Sequence, residues 1–378
     1  MSTFLENLPD INFAEKDTAL IEAQVISRFE EKLGRRLYHG DPWRQILLTF
    51  VYFLSLQRNN IDFAGKQNLL KYAGEGFLEN IAALVGTERL EPVAASTTLE
   101  FALSTLLPSA TLIPRGTRAT PGNNIYFSTT EDVEIPAGEY SVTAHAVCTE
   151  VGTMGNGYLP GQISRLVDTF PFSYSVRNLD LTQGGADKED LDSLRERTRL
   201  RPESYSTAGP YGAYIYWAKT ASQLIVDVAV KSPSPGVVDV IPLLSGGEIP
   251  SQTLLDEVYD TLSADNRRPL TDMVVVRAPE AVYYGLDITY YISRSNAAAG
   301  LTIRHRVAQA VDDFILWQKS QLGRDINPSR LVEMVKGAGV KRVDMENIAP
   351  AFTPLDYFQL GIADMENVKL TYGGLEDD

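Results

Sequence analysis

The chain has 378 residues, of which 44% are hydrophobic and 22% charged, so it can bury sizeable cores and is not disordered by composition. Its 49 acidic residues outnumber 34 basic ones for a formal net charge of −15. This balance argues against a broad nucleic-acid-binding surface and against docking on an anionic membrane. The single cysteine, Cys148, excludes an internal disulfide.

The first ten residues, MSTFLENLPD, lack the basic and apolar regions of a signal peptide. The longest near-continuous apolar run, ILLTFVYFLSL, is well short of the about 20 residues that a membrane-spanning helix needs. We therefore expect no membrane insertion, and synthesis and folding in a cytoplasm.

Residues 1–88 are predicted to be helical. Asp17 is placed to cap a helix that Gly34 ends, and Asp41 followed by Pro42 marks the start of a second helix. The apolar positions of the first helix fall on one face at about 100° per residue. The sequence GEGFLENIAALVG supplies a third helix.

The second helix is apolar around its whole circumference. Such a helix has to be buried on all sides, and one or two amphipathic neighbours would not cover it. We therefore predict that another chain contributes, with a central position in an intrachain bundle as the alternative. The predicted interface residues on the two helices are Ile21, Val25, Ile26, Phe29, Trp43, Ile46, Leu47, Phe50, Phe53 and Leu54.

Residues 89–176 show short alternating strands separated by turns, which predicts an antiparallel β-domain. Its GTMGNG sequence superficially resembles a phosphate-binding loop. It lacks the Lys-Ser/Thr pair and opens no helix, so turn formation is the better interpretation. Cys148 is expected to be a small, part-buried strand residue.

Two small α+β domains with antiparallel sheets are predicted to follow, over residues 177–279 and 280–378. The first has the order helix, strand, strand, helix, strand, and the second is a looser version. The predicted fold class is therefore α+β and multidomain, with an N-terminal helical bundle segment and an antiparallel β-domain.

The stretch GGADKEDLDSLRERTRLRP concentrates acidic residues before arginines. As a calcium-binding loop it fails at the positions that need oxygen ligands and glycine. It is better interpreted as a helix capped by Asp187, with Asp190 in a capping-box role and an Asp192–Arg195 pair. Whether Arg195 and Arg197 also bind a carboxylate-bearing partner stays open.

No catalytic residue, cofactor or metal ligand is predicted. The three histidines, His39, His145 and His305, lie in different regions, and no zinc-binding or nucleophile motif is present. Adjacent acidic pairs such as Asp312-Asp313 point in different directions and do not form convincing acid/base pairs.

An ordered set of stretches resembles the baseplate J-like family, wedge proteins of contractile phage tails and related injection particles. The matching stretches are LLKYAGEGFLENIAALVGTERLEPVAAS, IPRGTRATPGNNIYFSTTEDVEIPAG, GTMGNGYLPGQI, VRNLDLTQGGADKEDLDSLRERTR, STAGPYGAYIYWAK, LIVDVAVKSPSPGVVDVIPLL and RPLTDMVVVRAP. The resemblance runs over most of the chain, from about residue 69 to residue 343.

The resemblance implies a structural protein that is not an enzyme and needs no cofactor. It implies N-terminal helices that bundle with other wedge subunits, and C-terminal domains that join further copies into a ring around the hub. That ring is expected to rearrange on sheath contraction. Hub or sheath-initiating proteins are further expected partners, and nucleic acid is not.

The implied localisation is synthesis in the bacterial host cytoplasm and assembly into the virion tail baseplate or injection particle. Two alternatives are a tail-associated enzyme that degrades cell walls or carbohydrate, and a receptor-binding tail component. The first needs a paired-carboxylate site and the second usually shows elongated repeats, and the sequence carries no distinctive signal for either.

Overall fold

A computed structural model describes residues 3–170, 174–206, 209–264, 267–269, 271–346 and 348–377. The chain divides into two compact units, and the first is discontinuous in sequence: it consists of Met1–Arg89 together with Glu189–Pro202. The second unit consists of Leu90–Lys188 and Glu203–Asp378.

The described part of the first unit is helical. Its helices are α1 (Thr3–Glu6), α2 (Thr18–Leu33), α3 (Pro42–Lys66), α4 (Phe77–Leu84) and α5 (Leu191–Leu200).

The predicted starts of α2 and α3 are confirmed. The carboxylate of Asp17 accepts from the backbone N–H of Ala19 at 2.8 Å, and that of Asp41 accepts from the N–H of Trp43 at 3.0 Å. Gly34 ends α2 in the left-handed conformation, with φ 68°, which favours glycine. These local signals therefore set both ends of α2 and the start of α3.

The predicted cap of α5 is wrong by one turn. Asp190, not Asp187, is the N-cap: its carboxylate accepts from the N–H groups of Asp192 and Ser193 at 2.8 and 3.0 Å. Asp187 belongs to the second unit, where its carboxylate accepts from the N–H and hydroxyl of Thr153, both at 3.1 Å. The domain predicted over residues 177–279 included α5, which in the structure packs in the first unit.

The second unit opens with the expected antiparallel β-domain. A six-stranded sheet has the order β7-β3-β4-β6-β1-β8, and β2 pairs with β5. The strands are β1 (Ala94–Leu103), β2 (Thr111–Ile113), β3 (Arg118–Gly122), β4 (Ile125–Thr129), β5 (Val133–Ile135), β6 (Ser141–Val151), β7 (Arg165–Leu166) and β8 (Tyr174–Asn178).

The GTMGNG sequence follows β6 as a turn, as predicted. Its Thr153–Gly155 segment is a short 3₁₀ turn. A Cβ on Gly155 would lie 2.9 Å from the Cβ atoms of Ala95 and Cys148, so close packing against the sheet requires glycine there. Cys148 itself is a buried strand residue.

Two α+β domains follow, which confirms the multidomain α+β fold. The helices are α6 (Tyr211–Ala221), α7 (Gln252–Ser263), α8 (Gly300–Gln318) and α9 (Pro328–Gly337). The strands are β9 (Ile225–Ser234), β10 (Val237–Leu244), β11 (Met273–Val276), β12 (Glu280–Ser293), β13 (Arg342–Val343) and β14 (Gln359–Glu376). The two sheets have the orders β11-β10-β9 and β13-β12-β14.

Both sheets are mixed, so the prediction of antiparallel sheets is wrong. β10 pairs parallel to β11, and β12 pairs parallel to β14. In each case the chain passes through helices before it returns to the sheet, α7 in the first domain and α8 and α9 in the second. A helical crossover returns a strand in the parallel direction.

The sheet of the first α+β domain is covered on both faces. Val240 and Leu244 pack in the core beneath α6 and α7, while Ile241 and Leu243 pack against Leu322 and Leu360 of the second domain.

A polar contact lies beside this shared core. The buried carboxylate of Asp239 accepts from Arg277 at 2.7 Å and from the Tyr357 hydroxyl at 2.9 Å. The hydrogen bond to Asp239 raises the pKa of Arg277, so the guanidinium stays protonated. Apolar packing and a charge-assisted network therefore join the two α+β domains.

Candidate partner interface on the helical unit

One side of α3 is covered within the first unit. Val51 and Ser55 are buried there, and α2 packs against α3. Near the start of α3, Arg44 donates to Glu22 of α2 at 2.7 Å. The ring centroids of Phe29 and Trp43 lie 6.1 Å apart. We call this covered side of α3 its inner side.

A first apolar row runs along α3 on one flank of its inner side, and most of its side chains are exposed. Phe50, for example, is 59% exposed. At about 100° per residue these positions fall within one continuous stripe. The first apolar row consists of Trp43, Ile46, Leu47, Phe50, Phe53, Leu54 and Ile61.

A second apolar row lies on the opposite flank. Its members recur at intervals of four and seven residues, again on one stripe of the helix. Most of them are exposed too. The second apolar row consists of Leu48, Tyr52, Leu56 and Phe63. Since α2 covers only the inner side, both apolar rows of α3 stay open, and they approach each other where the ring centroids of Tyr52 and Phe53 lie 5.6 Å apart.

The structure divides the predicted interface residues into two groups. Ile21 and Ile26 are buried and Val25 and Phe29 half-buried in α2. On α3, Leu47 is half-buried, and the exposed residues are Trp43, Ile46, Phe50, Phe53 and Leu54. The exposed residues of α3 therefore form the part of the predicted set that is open to a partner.

The C-terminal part of α3 is held by the segment that precedes α2. The buried carboxylate of Asp62 accepts from Lys16 at 2.7 Å, from Lys66 at 2.9 Å and from the backbone N–H of Phe13 at 2.9 Å. The hydrogen bond from Lys16, then those from Phe13 and Lys66, hold the pKa of Asp62 well below its usual range.

Glycine at position 65 makes room for this segment. A Cβ on Gly65 would lie 2.5 Å from the ring of Phe13, so the ring rests directly on the backbone of α3. Sequence reasoning missed this contact. The sequence did carry one signal. The helical period places Asp62 on the inner side of α3, where an apolar residue is expected and a carboxylate needs a partner.

The two arginines of α5 bind groups inside the first unit. Arg195 donates to the carbonyl oxygens of Leu70 and Ala73, both at 2.7 Å. It also forms the predicted pair with Asp192. The planar guanidinium fork suits two acceptors at once. Arg195 is 6% exposed, so it offers little surface to a neighbouring chain.

Arg197 is similarly enclosed, at 3% exposure. It donates to the Glu189 carboxylate at 2.8 Å and to the carbonyl of Glu88 at 2.9 Å. Arg89 donates to the carbonyl of Glu189 at 2.7 Å and pairs with Glu79 at 2.9 Å. These bonds attach α5 to the segments around α4.

Apolar packing supports the same attachment. Leu194 of α5 is fully buried against Ala73, Leu78 and Ala82. The arginine side chains therefore bind groups inside the first unit, whereas the two apolar rows on α3 are open to a partner.

No sign of a metal centre or a membrane span accompanies this surface. Among the described residues, no group of three or more His, Cys, Asp or Glu side chains could hold a metal ion. In the same part of the chain, no helix is both long and apolar enough to cross a membrane.

Comparison with known proteins matches two parts of the second unit to family models. Residues 98–185 match the Baseplate J-like protein barrel domain, and residues 206–278 match the Baseplate J-like central domain. These two stretches, together 161 of the 378 residues, thus match domains of the baseplate J-like family. The barrel match covers most of the β-domain, and the central match covers α6, β9, β10, α7 and β11.

Two individual proteins are similar to this chain. Baseplate protein J of Escherichia phage P2 is 31% identical over 159 residues, which are 42% of this chain and 51% of that protein. The chain thus spans about half the length of this curated relative. A chain of the cryo-EM structure of the anti-feeding prophage (AFP) baseplate, 6-fold symmetrised, aligns over 90% of both chains, with 15% identity and a TM-score of 0.45.

The candidate interface lies outside both family matches. The matched ranges begin at residue 98 and end at residue 278, and α2, α3 and α5 fall in neither. What the helical unit does therefore has to be argued from its own geometry.

Proposed function

We propose that the chain is a structural subunit of a baseplate wedge, in a contractile phage tail or a related injection particle. In this proposal the first unit binds helices of neighbouring subunits, and the second unit joins copies of the chain into a ring around the hub. The matches to two baseplate J-like domains and the similarity to a phage baseplate protein support the baseplate assignment.

The observation that carries the helix-binding role is the pair of exposed apolar rows on α3. Fully burying one large apolar side chain contributes about 1.5–3 kcal/mol. Phe50, Phe53 and Tyr52 are each more than half exposed, so covering them would contribute substantially to the free energy of partner binding. Because the rows flank α2 on opposite sides, we propose at least one partner helix for each row.

Two polar residues that continue the first row are proposed to determine which partner helix binds and in which register. Gln57 and Asn60 continue the three–four spacing of Trp43, Ile46, Phe50 and Phe53 along the first row. Isolated polar residues at core positions of a coiled coil fix register and partner number at some cost in stability. We propose that they align the partner helix along α3.

The proposed partners are other wedge subunits and further copies of this chain, with hub or sheath-initiating proteins in addition. Rearrangement of the ring on sheath contraction is the part of the proposal that rests on the family resemblance alone. We propose a structural role without catalysis. Clear lysis of purified cell walls by the purified chain, followed as a fall in turbidity, would contradict it.

The test of helix binding is co-expression with the proteins encoded beside this chain, followed by mass measurement of the purified complexes. The wild-type chain should carry at least one of them. Phe50→Asp and Leu54→Asp should lose it, since each places a charge in the first apolar row.

The matched control is Leu316→Asp, which changes a leucine on α8 that is 54% exposed, between Leu54 at 43% and Phe50 at 59%. It should retain the captured partner. Equal capture by all three variants, or a wild-type chain that stays monomeric and captures none of its neighbours, would refute the proposal.

A further inference from the structure

Strand β14 has one free edge. Among the described residues it hydrogen-bonds to β12 on one side, and no strand pairs with its other side. An uncovered edge presents a row of backbone N–H and C=O groups that can pair with another strand. The segment from Lys369 to Glu376 contains no proline, and it is largely exposed.

Apolar side chains accompany this free edge. Leu370 and Leu375 are 36% and 37% exposed. They pair with Ile288 and Ile292 of β12, which are buried in the core formed with α8 and α9. Leu370 and Leu375 therefore lie on the core face of the sheet, at its uncovered margin.

The sequence of this segment, KLTYGGLE, is complementary to itself when reversed. In an antiparallel pairing about a twofold axis, Lys369 lies opposite Glu376 and Leu370 opposite Leu375. Thr371 then faces Gly374, and Tyr372 faces the extra residue Gly373, where the register with β12 shifts.

The two faces of the sheet also agree with this register. Leu370 and Leu375 both lie on the core face, because their β12 partners are buried. Lys369 and Glu376 both pair with residues of the other face, Asp287 and Ser293. Directly opposite residues of an antiparallel pair share a face, so apolar meets apolar and each lysine meets a carboxylate.

We infer that β14 pairs antiparallel with β14 of a second copy of this chain, which joins two three-stranded sheets into one six-stranded sheet. This inference rests on the proposed self-association and names the surface that performs it. Glu376 already accepts from Arg342 at 3.0 Å, and a carboxylate has capacity for the additional lysine.

The proposed contact between the two β14 strands is small. Specific stable interfaces bury about 1,200–2,000 Å² in total, and one pair of eight-residue strand edges offers less. Such a contact becomes effective where other contacts raise the local concentration of the two copies, as in a ring. A covalent trap is therefore the appropriate test.

The test is disulfide cross-linking of the purified full chain, oxidised at high protein concentration and analysed on a non-reducing gel. The double variant Leu370→Cys/Leu375→Cys places thiols directly opposite each other across the axis, about 5 Å apart between Cα atoms and within disulfide range. Within one chain the two positions are about 16 Å apart, too far to bond. We expect about tenfold more covalent dimer than from either single variant.

The chain provides its own background control, since its one cysteine, Cys148, is buried. The double variant cross-linking no more than the singles would overturn the inference. So would Leu370→Cys alone cross-linking as well as the double variant, because position 370 would then face itself. Partner capture through α3 is measured on a chain whose β14 is wild type. An absence of cross-linking through β14 and an absence of partner capture through α3 are therefore separate results.

Discussion

Arg195 donates to the carbonyl oxygen of Leu70 at 2.7 Å and so joins two positions 125 residues apart in the sequence. A second bond, to the carbonyl of Ala73, has the same length. Both acceptors lie in the loop between α3 and α4, and the donor lies on α5. The first unit is therefore completed by a helix that the chain supplies only after the whole β-domain.

We predict that Arg195→Lys destabilises the first unit by about 1–3 kcal/mol, since an ammonium group cannot serve two carbonyl acceptors in the fork geometry and leaves one buried carbonyl unsatisfied. Hydrogen exchange of the amides of residues 77–84 measures this loss. The control is Arg28→Lys at an exposed position of α2, which should leave exchange unchanged. Equal effects of the two changes would contradict the role given to Arg195.

A second prediction concerns the buried ion pair of Glu189 and Arg197. Their charged groups are 2.8 Å apart and both side chains are buried. Glu189→Gln or Arg197→Met alone should lower the free energy of unfolding by about 3–5 kcal/mol, because each removes the charge that faces the other across this buried pair. The double variant should lose clearly less stability than the sum of the two single losses. Urea unfolding of the wild-type chain, the two single variants and the double variant gives this double-mutant cycle. Additive losses would show that the pair is not coupled.

Local signals were sufficient to predict both ends of α2 and the start of α3. Asp17, Gly34 and the Asp41-Pro42 pair act on atoms within a few residues, so the sequence window contains all of the chemistry. The apolar circumference of α3 was also visible in the sequence. Which side α2 would cover was not, because that choice depends on the packing of both helices.

Longer-range competition explains the errors. Asp187 and Asp190 are both suitable caps, and the choice is settled by Thr153, which lies 34 residues earlier and takes the carboxylate of Asp187. The arginines of α5 presented a similar ambiguity: a local charge pattern predicts a helix, but their carbonyl acceptors lie more than 100 residues away. The parallel pairing of β10 with β11 likewise depends on where α7 returns the chain.

Asp62 makes the stability of the N-terminal segment depend on pH. Its pKa is lowered on folding, first by the hydrogen bond from Lys16, so its contribution is present at neutral pH and is lost as the pH falls below its ordinary value of 3.8. Asp62→Asn should therefore expose residues 7–16 to proteolysis at neutral pH, and the difference from wild type should shrink in acid.

The control for this prediction is Asp312→Asn, which changes an exposed carboxylate on α8. It should leave cleavage of the N-terminal segment as in wild type at every pH. A difference between Asp62→Asn and wild type that stays constant from about pH 6 to pH 2 would show that ionisation of Asp62 does not hold the segment.

Two adjacent residues of α3 distinguish an intrachain core from a partner surface. Val51 is 2% exposed and faces α2, whereas Phe50 is 59% exposed in the first apolar row. In the isolated chain, Val51→Asp should destabilise the first unit by about 3 kcal/mol or more, since it buries a charge without a partner. Phe50→Asp should change stability by less than about 0.5 kcal/mol, as surface substitutions usually do. Circular dichroism of urea unfolding measures both, and a loss of folded signal in Phe50→Asp as large as that in Val51→Asp would mean that α3 is the centre of an intrachain bundle.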